Sequence, residues 1–137
     1  MKKIVLIPIL FLFLLQASAQ TYNQTKNTEQ KIKELSMDWM KAVENRDEKT
    51  LNKIVASEFT SGGTNFETAA LPGDVWMKNT MENLKIDSTN YIKIHVDLKD
   101  NIAIVQSVFY WSFTFREFPT KKATMNLIDT WMKRKGA

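Results

Sequence analysis

The chain is 137 residues long, 44% hydrophobic and 25% charged, with no cysteine and one histidine, His95. That is an ordinary globular composition of one-domain size, which excludes a second catalytic domain, a repeat array or a multi-span membrane protein. Without cysteine there is no disulfide framework, thiolate zinc site or cysteine nucleophile, and one histidine excludes a histidine-rich metal site, so neither metal nor cofactor is expected. The formal net charge is +4.

Residues 1–19 read as a secretory signal. Lys2 and Lys3 supply the positive start, Ile4 to Leu15 is an uncharged apolar run broken by Pro8, and Ala17-Ser18-Ala19 offers the small residues of a cleavage site before Gln20. The competing reading, a membrane anchor, needs roughly 20 apolar residues, more than this run supplies. No cysteine follows the signal, which excludes a lipid-anchored lipoprotein. The expectation is an exported protein, periplasmic or secreted, with no stable membrane anchor after cleavage. Cleavage also discards two lysines, so nucleic-acid binding, which needs a clustered basic face, loses its main support. The remaining basic run, Lys133-Arg134-Lys135, reads as a solvated turn.

Residues 20–26 are polar and aperiodic and are read as a flexible tether; 27–137 form the domain. Asn27 and Gln30 have the spacing of a helix-capping box, after which Ile32, Leu35, Trp39, Ala42 and Val43 follow helical periodicity. Asp47 is placed to cap a second helix carrying Leu51, Ile54 and Val55. Phe59 centres a short strand, broken at Gly62-Gly63, and a loop runs to Pro72-Gly73. Asp74 is read as the cap of a third helix with Val75, Trp76, Met77, Met81 and Leu84. After Asp87-Ser88 the period becomes two: Ile92, Ile94, Val96 and Leu98 form a strand ending in a turn at Lys99-Asp100-Asn101. Ile102–Phe115 and Ala123–Met132 are two further strands around a loop containing Pro119. The order α-α-β-α-β-β-β predicts an α+β fold, with helices on one face of a curved antiparallel sheet.

Three stretches carry a resemblance. They are Trp39-x-x-Ala42 with Arg46-Asp47, Leu51, Ile54, Val55 and Glu58-Phe59; Asp100-Asn-Ile-Ala-Ile-Val105; and Asp129-Thr-Trp-Met-Lys-Arg-Lys-Gly136. In this order they resemble the nuclear-transport-factor-2-like superfamily, in particular small bacterial members near the SnoaL-like cyclases and ketosteroid isomerases, over roughly residues 29–137. The resemblance implies a cone: a curved sheet wrapped around helices, with an apolar pocket open at one end. It also implies one further strand, since the family pattern continues beyond the turn where this chain stops. A C-terminal truncation of about ten residues is therefore expected, leaving the strand that ends at Met132 with an unpaired edge.

Ketosteroid isomerases use a carboxylate base and an oxyanion hole of a tyrosine and a protonated aspartic acid. Laid onto this chain, the resemblance puts Trp39 at the tyrosine position, Gly63 at the base and Asp129 at the oxyanion aspartate. Trp39 donates but does not titrate, and Gly63 takes no proton, so isomerase chemistry of that type is not expected. Asp129 is the one candidate catalytic residue. Alternation puts it on one strand face with Leu127 and Trp131, which the resemblance makes pocket-lining; desolvation there would raise its pKa. The alternative is an ion pair with Lys93 or Arg46, or exposure to solvent.

The resemblance assigns Ile104, Gln106, Val108 and Tyr110 to the pocket side of the long strand, with Gln106 and Tyr110 as polar handles unless they satisfy each other or the backbone. Trp39, Phe59 and Trp76 become the apolar wall, or plain core. His95 falls on the polar side of its strand. The opposite face of the long strand carries Phe109, Trp111 and Phe113 in an aromatic stripe. The expected explanation is an isologous homodimer through that face, the alternative being a bulge that turns the stripe inward. Three functions compete: a non-catalytic exported domain holding a small, largely apolar ligand in the cone; a protein-interaction or dimerisation module; and an isomerase, cyclase or dehydratase using Asp129.

Overall fold

The computed structural model describes residues 7–62 and 70–133, with side chains from Asn23 onward. Gly63 and the turn from Arg134 to Gly136, both used in the reading above, lie outside the described residues.

The first helix, α1 (Ile7–Glu44), is longer than its sequence signals imply. Asn27 is an interior residue, not a cap, and the helix runs through 20–26 without a break. No glycine or proline interrupts that stretch, and local bonds sustain it: the Thr28 hydroxyl donates to the Gln24 carbonyl at 2.9 Å, and the Gln30 amide donates to Glu34 at 2.9 Å. From Ile32 onward the helix is anchored by packing. Ser36, Met40, Ala42 and Val43 are buried, and Ile32 and Trp39 pack against the core. Arg46, in the left-handed region at φ 54, turns the chain into α2 (Glu48–Ile54). Asp47 caps α2 as its residue type predicts: its carboxylate accepts from the Thr50 hydroxyl at 2.6 Å and the Thr50 N–H at 3.0 Å. Those bonds, the hydroxyl's foremost, hold its carboxyl below the usual range.

A two-residue ribbon follows, with β1 (Thr60–Ser61) antiparallel to β2 (Leu71–Pro72). It leads into α3 (Gly73–Asn83). Pro72 occupies the cap position and makes no side-chain bond there; Asp74 lies in the first turn, where its charge favours the helix N-terminus. The strand expected to begin after Ser88 starts directly at the end of α3, as β3 (Leu84–Lys99). Asp87 and Ile92 fall at two register irregularities, between Ile86 and Ser88 and between Tyr91 and Lys93. Such bulges bend a strand, and they also hide its period from the sequence.

β3, β4 (Ile102–Phe115) and β5 (Lys121–Met132) form an antiparallel sheet in that order. Asp100 at φ 55 makes the β3–β4 turn, and Arg116, also at φ 55, opens the β4–β5 connection. Among the described residues the outer edge of β5 has no partner strand. The helices cover the concave face. One core cluster joins Met40, Val43, Leu51, Met77, Ile86 and Phe109; a second joins Val96, Ala103 and Val105 under Ile32 and Trp131. The result is an α+β cone: three helices against a curved antiparallel sheet. No described helix is long and apolar enough to cross a membrane.

The register reverses the expected faces of β4. Ala103, Val105, Ser107 and Phe109 are buried against the helices, with Trp111 and Phe113 packed on the same core. Ile104, Gln106 and Tyr110 are exposed on the convex face, with Val108 between them half-buried. The aromatic stripe is therefore the lining of the cone and not a dimer interface, and Ile104, Gln106, Val108 and Tyr110 do not line a pocket. Burial decides the matter: the face carrying Val105, Phe109, Trp111 and Phe113 has far more apolar surface to remove from water than the alternative.

Candidate functional site

The pairing of β4 with β5 puts Val105 opposite Asp129, Ala103 opposite Trp131 and Ser107 opposite Leu127. Directly paired residues share a face, so Leu127, Asp129 and Trp131 look into the cone with the buried face of β4. β3 adds Thr89 opposite Trp111 and Tyr91 opposite Phe109. A ladder of rings crosses this surface: Tyr91 to Phe109, Phe109 to Trp111 and Trp111 to Phe113, with centroids 5.5, 5.8 and 5.1 Å apart. Behind it, Trp39 stacks on Trp76 at 5.9 Å and Phe59 meets Trp76 edge-on at 5.2 Å. These three rings tie α1, α3 and the segment before β1 together.

Among the described residues, five polar side-chain atoms are buried without a hydrogen-bond partner: Thr89 Oγ1, Ser107 Oγ, Trp111 Nε1, Asp129 Oδ2 and Trp131 Nε1. All five belong to the concave face. They run diagonally across the sheet, from Trp131 and Asp129 on β5, through Ser107 and Trp111 on β4, to Thr89 on β3. Buried polar atoms are almost always paired, because leaving one unpaired costs about 1–3 kcal/mol. A diagonal of five is the chemical signature of this surface.

Asp129 is its charged member. Burial raises its pKa from 3.8 to about 6. Neither expected counter-ion reaches it: Arg46 donates to the Leu84 carbonyl at 3.1 Å, and Lys93 pairs with Val108, whose side chain is on the convex face. Tyr91 stands close enough to feel it. Burial, then the negative charges of Asp129 and Glu44, push the Tyr91 phenol up to about 12.

The convex-face residues have other employment. Gln106 donates to the Asn126 side-chain oxygen at 3.3 Å, Tyr110 is 58% exposed, and His95 is exposed opposite Gln106. A separate cleft of about 290 Å³ lies at the far end of the β4–β5 hairpin, lined by Phe113, Phe115, Phe118, Pro119 and Lys121. It is apolar and distant from Asp129 along the strands. Among the described residues, no three His, Cys, Asp or Glu side chains converge as a metal ion would require. Sequence reasoning passed over Thr89, Tyr91 and Ser107. The signal that finds them is parity: each shares the face of Phe109, Ser107 two residues from it along β4, Tyr91 beside it on β3 and Thr89 beside Trp111.

No protein-family profile matches the chain, and no curated protein matches it. A solved structure from Exiguobacterium sibiricum, provisionally assigned as a Ca/calmodulin-dependent kinase II association domain, superposes with a TM-score of 0.65 over 76% of this chain and 80% of its own, at 8% identity. At that identity the likeness is one of fold. It supports the nuclear-transport-factor-2-like architecture expected from the three motifs, without the SnoaL-like or isomerase branch.

Proposed function

We propose that this is an exported binding domain that holds a small, largely apolar ligand against the concave face of its sheet, without catalysing its conversion. One observation carries the reading: the unpaired diagonal of Thr89, Ser107, Trp111, Asp129 and Trp131 inside an otherwise aromatic and aliphatic surface. A few polar groups set in an apolar concavity are what fixes a ligand's orientation in a binding site. Export rests on the composition of residues 1–19, with their basic start, apolar run and small residues before Gln20. Trp39, at the position of the isomerase tyrosine, is engaged in stacking on Trp76, which favours binding over isomerisation. Protein purified from its own host tests the reading. Organic extraction followed by mass spectrometry is expected to release a small organic molecule in near-stoichiometric amount. Recovery of protein that carries nothing and binds no apolar probe would overturn it.

A second reading, association through the convex face, has its own support. Ile104, Ile128 and Met132 are 46%, 65% and 58% exposed on adjacent stretches of β4 and β5. The register sets Ile104 diagonally between Ile128 and Met132, on a sheet face that no described helix covers. The solved structure of similar fold is itself assigned as an association domain. Here the self-contact would use Ile104, Ile128 and Met132 in place of Phe109, Trp111 and Phe113. Sedimentation equilibrium at micromolar concentration is expected to give a dimer; a monomer would remove the reading.

A further inference from the structure

We infer that the ligand of the cone is a small organic ammonium ion with an apolar body, its cationic nitrogen held by Asp129 next to Trp131. The inference rests on the pocket reading above and specifies its chemistry.

Three features of the concave face converge on a positive charge. The first is an unanswered carboxylate. Asp129 Oδ2 is buried without a partner, and the basic groups expected to meet it are committed elsewhere or lie on the opposite face. A buried charge is retained in proteins when something neutralises it. The second is the sign of the surroundings. Glu44 on α1 lies near Tyr91 along with Asp129 on β5, so carboxylates from two elements border this region. The third is the wall. Trp131 follows Asp129 by two residues on the same face, about 7 Å along the strand. Tyr91, at the start of the ring ladder, lies two strands away on the same face. An ammonium set between the indole face and the carboxylate gains cation–π attraction as well as the ion pair, and most when it is desolvated.

The neighbouring atoms refine the ligand. Ser107 is 1% exposed, and its hydroxyl is unpaired one position along from the Asp129 pair. The indole N–H of Trp131 is a donor without an acceptor. An oxygen on the ligand near the ammonium group would satisfy both. An anion, by contrast, would face Asp129 and Glu44 with no cation among the described residues to offset them, and a plain hydrocarbon would leave every one of these atoms unpaired.

The test compares three probes of one shape on the full chain at neutral pH: 2-phenylethylamine, 2-phenylethanol and phenylacetate, with binding followed by tryptophan fluorescence and calorimetry. The amine is expected to bind at least tenfold more tightly than the alcohol, and phenylacetate least. In Asp129→Asn the advantage of the amine over the alcohol should disappear. If wild-type protein binds alcohol and amine equally, the cation assignment is wrong and the pocket reading stands. If none of the three binds at millimolar concentration, the pocket reading fails and takes the assignment with it. The comparison within the wild-type protein decides the matter independently of the variant.

Discussion

Asp129 illustrates how a single side chain can serve a site at the expense of the fold. An aspartate ionises near 3.8 when free and near 6 in this protein, because burial disfavours its charge. Below both values the carboxyl is protonated in either state and has no effect. As pH rises from about 4 to about 6 the unfolded chain releases a proton that the folded chain retains, so stability falls, and above 6 the full cost persists. Asp129→Asn removes that cost. The variant is expected to be more stable than the parent by about 2–3 kcal/mol near pH 8, with the advantage gone near pH 4. Urea titrations at the two pH values measure the difference; an advantage that does not depend on pH would show that burial of the charge is not its source. A stabilising substitution at the proposed ligand anchor is the pattern expected where binding, and not folding, maintains a residue.

At the scale of elements, the sharpest constraint is where the ribbon meets α3. A Cβ on Gly73 would lie 3.0 Å from the Phe59 carbonyl oxygen and 3.4 Å from its Cβ, whereas one on Gly62 would meet nothing within 4 Å among the described residues. Gly73→Ala is therefore expected to destabilise the domain by about 1–3 kcal/mol, since backbone must shift, and Gly62→Ala to leave it within about 0.5 kcal/mol. Thermal denaturation of the two variants side by side checks this, and equal melting temperatures would remove the close approach as a constraint. The elements themselves were largely legible. Leu51, Ile54 and Val55 announce α2, Asp47 its cap, and the run from Ile102 to Phe115 its strand. What alternation cannot supply is which face turns inward. Asp129 and Ile104 were both expected in the cone, yet the pairing of Val105 with Asp129 makes that impossible, since Ile104 then points the other way. Register depends on the geometry of the turn after Arg116, which residue types alone do not determine. The start of β3 was hidden for a related reason. Its bulges at Ile86/Ser88 and Tyr91/Lys93 interrupt the period, so Asp87-Ser88 read as a break between elements. The long α1 escaped notice because Asn27 carries a capping residue type, and side-chain bonds such as Thr28 to Gln24 are invisible in composition.

For the molecule as a whole, the two faces of the sheet divide the work: the concave face carries the unpaired polar diagonal, the convex face the exposed aliphatic patch. The division gives a clean separation of effects. Ile128→Lys adds a charge to the patch without touching the cone, and is expected to raise the dimer dissociation constant at least tenfold while leaving probe binding unchanged. Analytical ultracentrifugation and the fluorescence titration together test this; loss of both properties at once would mean that the faces are coupled. The edge of β5, without a partner strand among the described residues, has a consequence of its own. Along an antiparallel edge strand every second amide points to its neighbour and the others point outward. Deuterium labelling of Lys121–Met132 should therefore trace a comb, with slow and fast amides alternating residue by residue, while β4, bonded on both sides, is protected throughout. Anything that docks along that edge would fill the gaps between the teeth. The same labelling experiment thus reports, amide by amide, whether the strand has acquired a neighbour.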